Sequence, residues 1–505
     1  MIIDIYMRIY TGEDIRGADL YTIVHEPVSR EKLVERAAAS VTERILETLN
    51  ERGFGPNPSF KVFAGKGDNG ADGRIIAGLL SKKGFYCRVL SIEDPDIEDV
   101  SGEAACPDEI YIDALIGSGL KGPVRSRTAS VIRNINGSGA FVISVDLPSG
   151  MPSEPFGHDG LCGNGRQSCC MVKADVTVAV EFPKLSMLTP LFGNFAGEIK
   201  IAPIGLCGGF EGSAGRAETV LPEEFQYHYV DENLYVDFVM QGEKMCRFSK
   251  FSHKGDNGHL LAVCGHTGMT GAALLAVSGA LRSGCGLVTA RIPASERLAM
   301  HVAHPSAIVS CGEGDCFRDL PENMSRFTSV CVGCGLGTGK ETAWALERLF
   351  GCGVPMVIDA DALNLVAGSA RLRSALPEGS VLTPHLGELE RLTGKWDGEA
   401  GKFEKAMALA REFSSVVVVK GAHTMTVSPD GKVFFNSTGC PGMAKGGSGD
   451  VLAGYIGGLL ARGYPSLQAA VTGVYRHGLA GERAGRRWGQ EAMNASDLAD
   501  FFCFR

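Results

Sequence analysis

The 505-residue sequence has few aromatic residues, no excess of positive charge and no long uninterrupted apolar run. Its formal net charge of -9 provides no basic field, which disfavours general binding to nucleic acid or to an anionic membrane surface. The longest stretch without a charged residue, 260–281, is broken by Gly265–Gly271, which predicts a strand, a loop and a helix instead of a membrane span. The 45% of hydrophobic residues suits ordinary globular domains, so a small molecule is the favoured partner.

The sequence also lacks a disulfide or metal-ligand framework, although it contains 16 cysteines. They are scattered through apolar runs, where cysteine packs as a small hydrophobic residue. Cys331 and Cys334 have the spacing of metal ligands, but no second pair or nearby histidines complete four ligands, so we expect them to be structural. The first residues carry acids and no basic segment or cleavage site, so we expect no signal peptide and a cytoplasmic location.

Short apolar runs alternate with amphipathic segments in two separate stretches of the chain, a pattern typical of parallel sheets with helices on both faces. We therefore predict a doubly wound α/β domain over 1–215, a linker over 216–240 and a second α/β domain over 241–505. The predicted strands are 61–64, 86–90, 109–113, 141–145 and 175–180 in the first half, and 260–263, 287–290, 329–332, 356–358 and 416–419 in the second, with a hairpin over 424–435.

The first predicted strand is followed by a glycine-rich loop, residues 65–73, and then by a helix predicted to begin near Arg74. Parallel sheets bind their ligands at this kind of position, beyond the carboxyl ends of the strands. The loop offers flexible backbone amides beside Asp68, Asn69 and Asp72. Because such amides bind phosphate groups, the loop is predicted to hold an anion.

Two later strands of the first half end at a carboxylate, Asp113 and Asp146. Turn capping is one role for them, and binding of a small cation by hard oxygen donors is the other. Residues 117–122 match the dinucleotide-binding pattern G-x-G-x-x-G, but they follow a middle strand and no acid lies about twenty residues later. That match is therefore weak evidence for an ordinary dinucleotide cofactor.

In the second half, residues 446–450 precede an apolar helix predicted over 451–460. The backbone N–H groups from Gly447 to Asp450 would converge at the positive end of the helix dipole and form an oxyanion or phosphate hole. Asp450 is either a helix cap or a base for a hydroxyl that attacks phosphorus, and the neighbouring amides favour the base. The G-x-x-x-x-G-K-[ST] pattern of a Walker P-loop is absent.

The motifs GDNGADG at 67–73, DALIGSG at 113–119 and VDLPSG at 145–150 occur in the order found in NAD(P)H-hydrate epimerases, and residues 10–206 resemble that family. The resemblance implies a Rossmann-like domain with Asp146 as acid/base and a potassium ion held by Asn69, Asp113 and Ser149. It also implies that the hydrated nicotinamide nucleotide contacts Asp68, Asn69, Gly70, Ala71, Asp72, Gly117, Ser118, Gly119, Leu120, Lys121, Gly122, Pro123 and Asp146.

The first half departs from this family at several positions. Asp68 replaces an asparagine and adds a carboxylate that could repel a phosphate. Ala71 replaces a glycine, which is compatible only with a backbone that does not need a positive φ. The family's Pro-Lys-Pro-Gly is Pro-Lys-Leu-Ser at 183–186, where Lys184 either lines the site or is a solvated surface lysine.

The loop at 446–450 resembles the ribokinase-like superfamily, and residues 245–500 resemble the ADP-dependent NAD(P)H-hydrate dehydratases within it. The further motifs are SHKGD at 252–256, GMTGAA at 268–273, GCGLG at 333–337, DADALN at 359–364, LTPH at 382–385 and VKGAHT at 419–424. The resemblance implies that the hydrate contacts Ala272, Gly335, His385 and Asp450, and that the adenine nucleotide contacts Lys420, Gly421, Ala422, His423, Thr424 and Gly449.

Three positions of the second half qualify this resemblance. His385 has the alternative role of a packed loop histidine. Cys440 stands where the family usually has asparagine, and Cys334 stands where it usually has proline. Neither replacement removes a charged catalytic group.

Together the two resemblances imply a metabolite-repair enzyme in which the first half epimerises the R and S hydrates of NADH and NADPH. The second half would dehydrate the S hydrate with ADP, giving AMP and phosphate. Potassium, magnesium and ADP are the implied cofactors and co-substrate, and a homo-oligomer is a family expectation. The alternative is a ribokinase-like small-alcohol kinase that carries a non-catalytic N-terminal binding module.

Overall fold

The computed structural model divides into two compact units near residue 224. The structure describes residues 8–26, 28–98, 105–106, 108–120, 122–124, 126–156, 170–207, 226–245 and 248–502. The candidate site residue Lys121 lies outside the described residues.

The first unit is a parallel sheet with helices on both of its faces. Its strands are β1 (Ser59–Ala64), β2 (Cys87–Ser91), β3 (Glu109–Ala114), β4 (Phe141–Val145), β5 (Val176–Val180) and β6 (Glu198–Ala202), and its helices are α1 (Gly12–His25), α2 (Arg30–Arg52), α3 (Asp68–Lys82) and α4 (Ser126–Gly137). Apolar side chains of α2 and α3, such as Ile45 and Ile76, cover one face, while Val131 and Ile135 of α4 cover the other. The predicted doubly wound architecture is confirmed.

The strand order β2-β1-β3-β4-β5-β6 places a switch point between β1 and β3. The chain leaves β1 for the edge strand β2 and then returns across the sheet to β3. A crevice forms beyond the carboxyl ends of strands at such a point, because the connecting helices diverge to opposite faces. Asn69 follows β1, and Asp113 lies near the end of β3, so the topology brings both motifs to this crevice.

The second unit contains a ten-stranded sheet in the order β10-β9-β8-β11-β12-β13-β14-β15-β16-β7. Its strands are β7 (Gln226–Val230), β8 (His259–Val263), β9 (Leu287–Pro293), β10 (Ile308–Gly312), β11 (Ser329–Val332), β12 (Met356–Ile358), β13 (Val381–Leu382), β14 (Val416–Val419), β15 (Met425–Val427) and β16 (Lys432–Asn436). Neighbouring strands are parallel except where β15 pairs with β14 and β16. This second α/β sheet is also confirmed.

The helices of the second unit follow its strands. They are α5 (Glu232–Met245), α6 (Thr270–Leu281), α7 (Arg297–Ala303), α8 (Lys340–Phe350), α9 (Ala360–Ala367), α10 (Ala370–Ala375), α11 (Leu386–Thr393), α12 (Gly398–Glu412), α13 (Ser448–Ala461), α14 (Ser466–Trp488) and α15 (Ala495–Leu498). Helix α13 is almost entirely buried and packs closely against α6. A methyl group at Gly454 would lie 1.8 Å from the Ala276 carbonyl oxygen, so only glycine permits this approach.

Several elements differ from the sequence expectations. Residues 226–240, which fall in the predicted linker, form β7 and the start of α5 and belong to the second unit. Helix α3 begins at Asp68 instead of near Arg74, so the glycine-rich motif is the first part of a helix and not a loop. Residues 260–281 form β8, a loop and α6 as predicted, and among the described residues no helix combines the length and apolarity needed to cross a bilayer.

Candidate functional site

A cavity of about 1200 Å³ opens at the switch point of the first unit. It is bordered by α1, by the first turn of α3, by the loop after β3 and by the residues that follow β4 and β5. The predicted hydrate-binding residues that line it are Asp68, Asn69, Asp72, Gly117, Ser118, Gly119, Leu120 and Asp146. Four other predicted hydrate-binding residues that the structure describes do not line the cavity: Gly70, Ala71, Gly122 and Pro123.

The first turn of α3 explains how the altered GDNGADG motif is accommodated. Ala71 has helical backbone and no positive φ, so the residue that replaces a family glycine introduces no strain. Asp68 lies at the first helical position, where the helix dipole favours a carboxylate. The Asp68 carboxylate also accepts a hydrogen bond from the exposed Arg30 guanidinium at 2.9 Å. The added charge is therefore compensated beside the cavity.

The close approach of α3 to the end of β1 depends on Gly70. A methyl group at this position would lie 2.0 Å from the Gly65 carbonyl oxygen, a distance that requires the backbone to move. We expect Gly70→Ala to destabilise the first unit by about 2 kcal/mol or more. Gly78→Ala in the same helix meets nothing within 4 Å and should stabilise it by about 0.5–1 kcal/mol. Urea denaturation of the two variants, followed by hydrogen exchange of α3, checks the contrast, and equal effects would contradict the packing argument.

The predicted potassium ligands lie together below the cavity. Asp113 is fully buried, and its carboxylate accepts hydrogen bonds from Ser149 Oγ at 2.5 Å and from the Ser149 backbone N–H at 2.8 Å. Ser149 Oγ in turn accepts from the Ile116 backbone N–H at 2.8 Å, and a methyl group at the neighbouring Gly117 would lie 3.2 Å from Asn69 Cγ. Both polar atoms of the Asn69 amide are buried and have no hydrogen-bond partner.

The buried Lys184 and the partly exposed Asp146 form an ion pair at the cavity wall. Lys184 is 1% exposed, and its Nζ also donates to the carbonyl oxygens of Val180 and Phe182, each at 3.3 Å. The solvated-surface alternative for Lys184 is therefore wrong. Asp146 has a positive φ of 67°. It is the central residue of a tight turn in which the Leu147 N–H donates a hydrogen bond to the Val145 carbonyl oxygen. This strained tight turn directly after β4 is the kind of backbone outlier found at functional positions.

Two further carboxyl groups of the cavity have raised pKa values. Burial, followed by the charge of Asp146, raises the pKa of Asp19 to about 6 and the pKa of Asp72 to about 7. Asp19 lies on α1 and was missed in the sequence, because it belongs to no glycine motif and follows no strand. The cavity therefore collects carboxyl groups of similar acidity around the Asp146–Lys184 pair, an arrangement suited to holding and moving protons.

In the second unit, Asp450 lies in the first turn of α13. The helix cap is Gly447, with φ 95, so the capping alternative for Asp450 is wrong. Burial and the charge of Asp359 raise the pKa of Asp450 to about 7. A carboxylate that is partly buried at the positive end of a helix, with a pKa near neutrality, is well placed to act as a general base.

Lys420 lies near the Asp450 carboxylate and pairs with two other carboxylates. Its Nζ donates to Asp359 Oδ1 at 2.8 Å and lies 3.9 Å from Glu388 Oε2. Burial by itself would lower the pKa of Lys420, but the charges of Asp359 and Glu388 outweigh it and raise the pKa. A methyl group at Gly449 would lie 3.3 Å from Lys420 Nζ. The structure thus brings Lys420 and Gly449, both predicted nucleotide contacts, directly beside Asp450 and Asp359.

His385 acts locally as the cap of α11. Its Nδ1 accepts from the Gly387 N–H at 3.0 Å and the Glu388 N–H at 3.3 Å, while Glu388 accepts from the His385 N–H. The side chain remains 53% exposed, so it is not the packed histidine of the alternative. Its Nε2 lies 3.4 Å from Glu388 Oε1, which leaves the ring at the rim of the Lys420 cluster.

The remaining predicted ligand contacts of the second unit are the pair Gly335 and Ala272 and the loop over 420–424. Gly335, with φ 58, packs against Ala272, because a methyl group there would lie 2.8 Å from Ala272 Cβ. The 420–424 loop follows β14, and its Thr424 Oγ1 donates back to the Gly421 carbonyl oxygen at 3.0 Å. His423 bonds through Nδ1 to the Asn436 carbonyl at 2.9 Å, and burial lowers its pKa. The His423 ring therefore holds the loop in place, while Gly421 and Ala422 are exposed.

Three buried cysteines adjoin the second-unit carboxylates. The sulfur atoms of Cys264, Cys331 and Cys334 all lie within 4.8 Å of one another, and Cys334 Sγ donates to Asp359 Oδ2 at 3.8 Å. Hydrogen bonds from Cys331 and Cys334 hold the pKa of Cys264 well below its usual range. Cys331 and Cys334, which the sequence predicted to be a structural pair, are therefore joined by a third thiol, that of Cys264.

Comparisons with known proteins cover both units. Residues 260–502 match the family described as NAD(P)H-hydrate dehydratase, and residues 30–105 and 93–186 match the YjeF-related protein N-terminus. The bifunctional NAD(P)H-hydrate repair enzyme Nnr of Moorella thermoacetica is 33% identical over 509 residues, covering 93% of this chain and 91% of the relative. The enzyme of the same name from Coxiella burnetii is 30% identical over 511 residues, covering 97% of each chain.

The chain belongs to the bifunctional NAD(P)H-hydrate repair enzymes. Among solved structures, the ADP/ATP-dependent NAD(P)H-hydrate dehydratase from Bacillus subtilis, co-crystallized with ATP/Mg2+, is similar to part of it, with a TM-score of 0.45 and 29% identity over 52% of this chain and 94% of that one. The family resemblance of each half, drawn from the motifs, is confirmed by matches that extend over both units.

In this repair enzyme, the described motifs converge at two distinct places, one in each unit. Within the first unit, the GDNGADG helix and Asp146 meet at the cavity of the switch point, and the fully buried Asp113 lies behind its wall beside Ser149. Within the second unit, Asp450, Lys420 and Gly449 meet beside Asp359. Asp359 and Glu388 were not assigned a role from the sequence, although both fall in or just after quoted motifs.

Proposed function

We propose that this repair enzyme restores hydrated NADH and NADPH by two activities, epimerisation in the first unit and ADP-dependent dehydration in the second. The observation that carries the proposal is the position of Asp450. Asp450 is not the cap residue of α13. Its carboxyl group has a pKa of about 7 and lies at the positive end of this helix, near the Lys420 ammonium. A base next to an anion-binding helix end is what phosphoryl transfer to a hydroxyl group requires.

Dehydration begins with removal of the proton from the hydroxyl group of the hydrate by Asp450. The hydroxyl oxygen forms a bond to the terminal phosphorus of ADP, and the bond from that phosphorus to the bridging oxygen breaks to release AMP. The phosphorylated hydroxyl is a good leaving group, so elimination of phosphate with loss of a ring proton restores the dihydropyridine. Lys420 and the first-turn amides of α13 stabilise the phosphoryl charge, and positioning supplies most of the acceleration.

Magnesium fits this site as the companion of the nucleotide. Mg²⁺ prefers oxygen ligands and usually keeps substrate phosphates among them. Asp359, buried beside Lys420, is the protein carboxylate that would hold it with the phosphates of ADP. Bound there, Mg²⁺ would neutralise part of the phosphate charge.

In the first unit, Asp146 would take and return the proton that interconverts the two epimers. Lys184 donates to the Asp146 carboxylate and holds it at the cavity wall. The neighbouring carboxyl groups of Asp19 and Asp72, with pKa values of about 6 and 7, keep a proton available near neutral pH. The nucleotide phosphates of the hydrate would bind at the first turn of α3.

Potassium fits the cluster below this cavity. The buried Asn69 amide has an oxygen without a partner, and the Asp113 carboxylate and Ser149 hydroxyl supply further hard oxygen donors. A buried polar group without a partner indicates that a ligand completes the site. Bound by Asn69, Asp113 and Ser149, the ion would fix the loops that carry these residues. The homo-oligomer and the cytoplasmic location stay predictions.

One assay tests both activities. Purified protein is mixed with both hydrate epimers, Mg²⁺, K⁺ and either ADP or ATP, while reduced-nicotinamide absorbance and the epimers are followed over time. We expect both epimers to be recovered with ADP, and replacement of K⁺ by an organic cation to slow recovery of the R epimer alone. Recovery of one epimer in the presence of K⁺ would mean a non-catalytic first unit, and no recovery with either nucleotide would favour a small-alcohol kinase.

The raised pKa of Asp450 predicts the pH dependence of dehydration. The base must be ionised, so kcat/KM with the S hydrate should rise with pH through about 7 and level off above it. Because the S epimer needs no epimerisation, the profile reports the second unit. A profile that is already flat between pH 5 and 8 would show that Asp450 does not titrate as the base.

A further inference from the structure

The three thiols of Cys264, Cys331 and Cys334 form a cluster that the proposed reaction does not use. All three residues are 0% exposed, and their sulfur atoms lie within 4.8 Å of one another. We propose that this cluster, with the Asp359 carboxylate beside it, binds a thiophilic metal ion of the Zn²⁺ type. The three sulfur donors distinguish this site from the proposed magnesium site, although the two would share Asp359.

The fold creates the cluster by pairing two parallel strands. Val263 is in register with Val332, so the residues directly after β8 and β11 lie side by side. Cys264 follows β8, while Cys331 belongs to β11 and Cys334 lies two residues beyond it. The backbone fixes this arrangement, because the Gly265 N–H bonds to the Cys334 carbonyl oxygen at 2.8 Å.

The distances suit a zinc site after small adjustments. Zn–S bonds of about 2.3 Å in a tetrahedron place neighbouring sulfur atoms about 3.8 Å apart. The observed upper limit of 4.8 Å is therefore within about 1 Å of this value. Asp359 Oδ2 lies 3.8 Å from Cys334 Sγ but belongs to a second group, with Cys334 and Asp450, so its side chain would have to move toward the three sulfur atoms to become the fourth donor.

The environment also favours an ion over simple packing of three thiols. The cluster is enclosed by apolar residues of the sheet and by α13, so no bulk water competes for the ion. Each thiol that binds loses its proton to solvent, and the two charges of the ion compensate two of the three thiolates, while the Lys420 ammonium lies beside the Asp359 carboxylate.

Metal binding would act on the neighbouring reaction. Asp359 accepts from Lys420 at 2.8 Å, and Cys334, Asp359 and Asp450 offer donor atoms within 4.8 Å of one another. An ion held by the cysteines would draw Asp359 away from Lys420. This consequence rests on the proposed function, and it makes a thiophilic ion an inhibitor of dehydration.

Binding is tested by cobalt spectroscopy on the reduced, metal-free, full-length protein. Titration with Co²⁺ should give a sulfur-to-cobalt charge-transfer band that saturates at one ion per chain, and Zn²⁺ should abolish the band. Cys264→Ala and Cys331→Ala should weaken binding by more than the roughly 10- to 100-fold that loss of an outer-shell partner costs. Two variants are used because a folding defect in one leaves the other informative.

The control is Cys311→Ala, which removes an exposed thiol of the same unit and should leave the band unchanged. Absence of the band in the wild-type protein would overturn the proposal. A band of equal intensity in Cys264→Ala and Cys331→Ala would overturn it as well, since the ion would then be bound elsewhere.

A separate arm addresses the link to dehydration. Zn²⁺ should inhibit ADP-dependent recovery of the S hydrate in the wild-type protein and spare Cys264→Ala at the same concentration. Equal inhibition of both proteins would overturn the link. Because the cobalt band is observed without substrate, failure of the proposed function leaves the binding result interpretable.

Discussion

Asp450→Asn is expected to abolish ADP-dependent dehydration while epimerisation continues at the wild-type rate. Asparagine keeps the size of the side chain but cannot remove the hydroxyl proton, and loss of a general base typically costs about 10²- to 10⁴-fold in rate. The measurement is the rate of NADH recovery from the S hydrate with ADP, together with the rate of R-to-S exchange without nucleotide. Asp430→Asn, in the turn between β15 and β16, is the matched control and should leave both rates unchanged.

The same variant carries its own test of folding. The pKa of Asp450 in the folded protein is about 7, against an ordinary value of 3.8, so the native state loses stability as pH rises from 3.8 to about 7, where the unfolded chain ionises and the folded carboxyl keeps its proton. Asparagine avoids this cost and should stabilise the second unit by about 1–3 kcal/mol at pH 8 but not at pH 3. An inactive Asp450→Asn protein with lower stability at pH 8 would point to misfolding instead of a lost base.

The sequence was most informative where a motif directly follows a strand. Asp113 lies near the end of β3, Asp146 directly follows β4 and Asp450 lies in the first turn of an apolar helix, so rules for strand ends and helix N-termini located all three. The Pro-Asp-Gly turn likewise predicted the hairpin of β15 and β16 correctly. Local turn chemistry and strand polarity therefore carried most of the correct predictions.

The missed features depend on contacts between distant segments. Asp19 reaches the first cavity from α1, and Glu388 reaches Lys420 from α11, neither of which follows from local sequence pattern. Cys264 could have been connected with Cys334, since both follow predicted strands, but the relative order of those strands in the sheet was unknown. The start of α3 at Asp68 was missed because glycines disfavour a helix, whereas Gly70 and Gly73 approach Gly65 and Ala114 too closely for a side chain.

Asp146→Asn is expected to lower the rate of epimerisation by about 10³-fold, while dehydration of the S hydrate is retained. Asparagine tolerates the positive φ of 67 at this position, so the tight turn after β4 should persist. The variant leaves the Lys184 ammonium buried without its carboxylate, and breaking a buried pair in this way typically costs about 3–5 kcal/mol. Hydrogen exchange in β4 and β5 should therefore accelerate.

The double variant Asp146→Asn/Lys184→Met separates the lost proton transfer from this destabilisation. Methionine removes the uncompensated charge but keeps an apolar chain of similar length, so exchange in β4 and β5 should return toward the wild-type rate. Epimerisation should stay absent, because the acid/base group is still missing. Recovery of epimerisation together with stability would show that Asp146 only supports the fold, and the proton would then have to be carried by another carboxyl group of the cavity, such as Asp19 or Asp72, whose pKa values are raised.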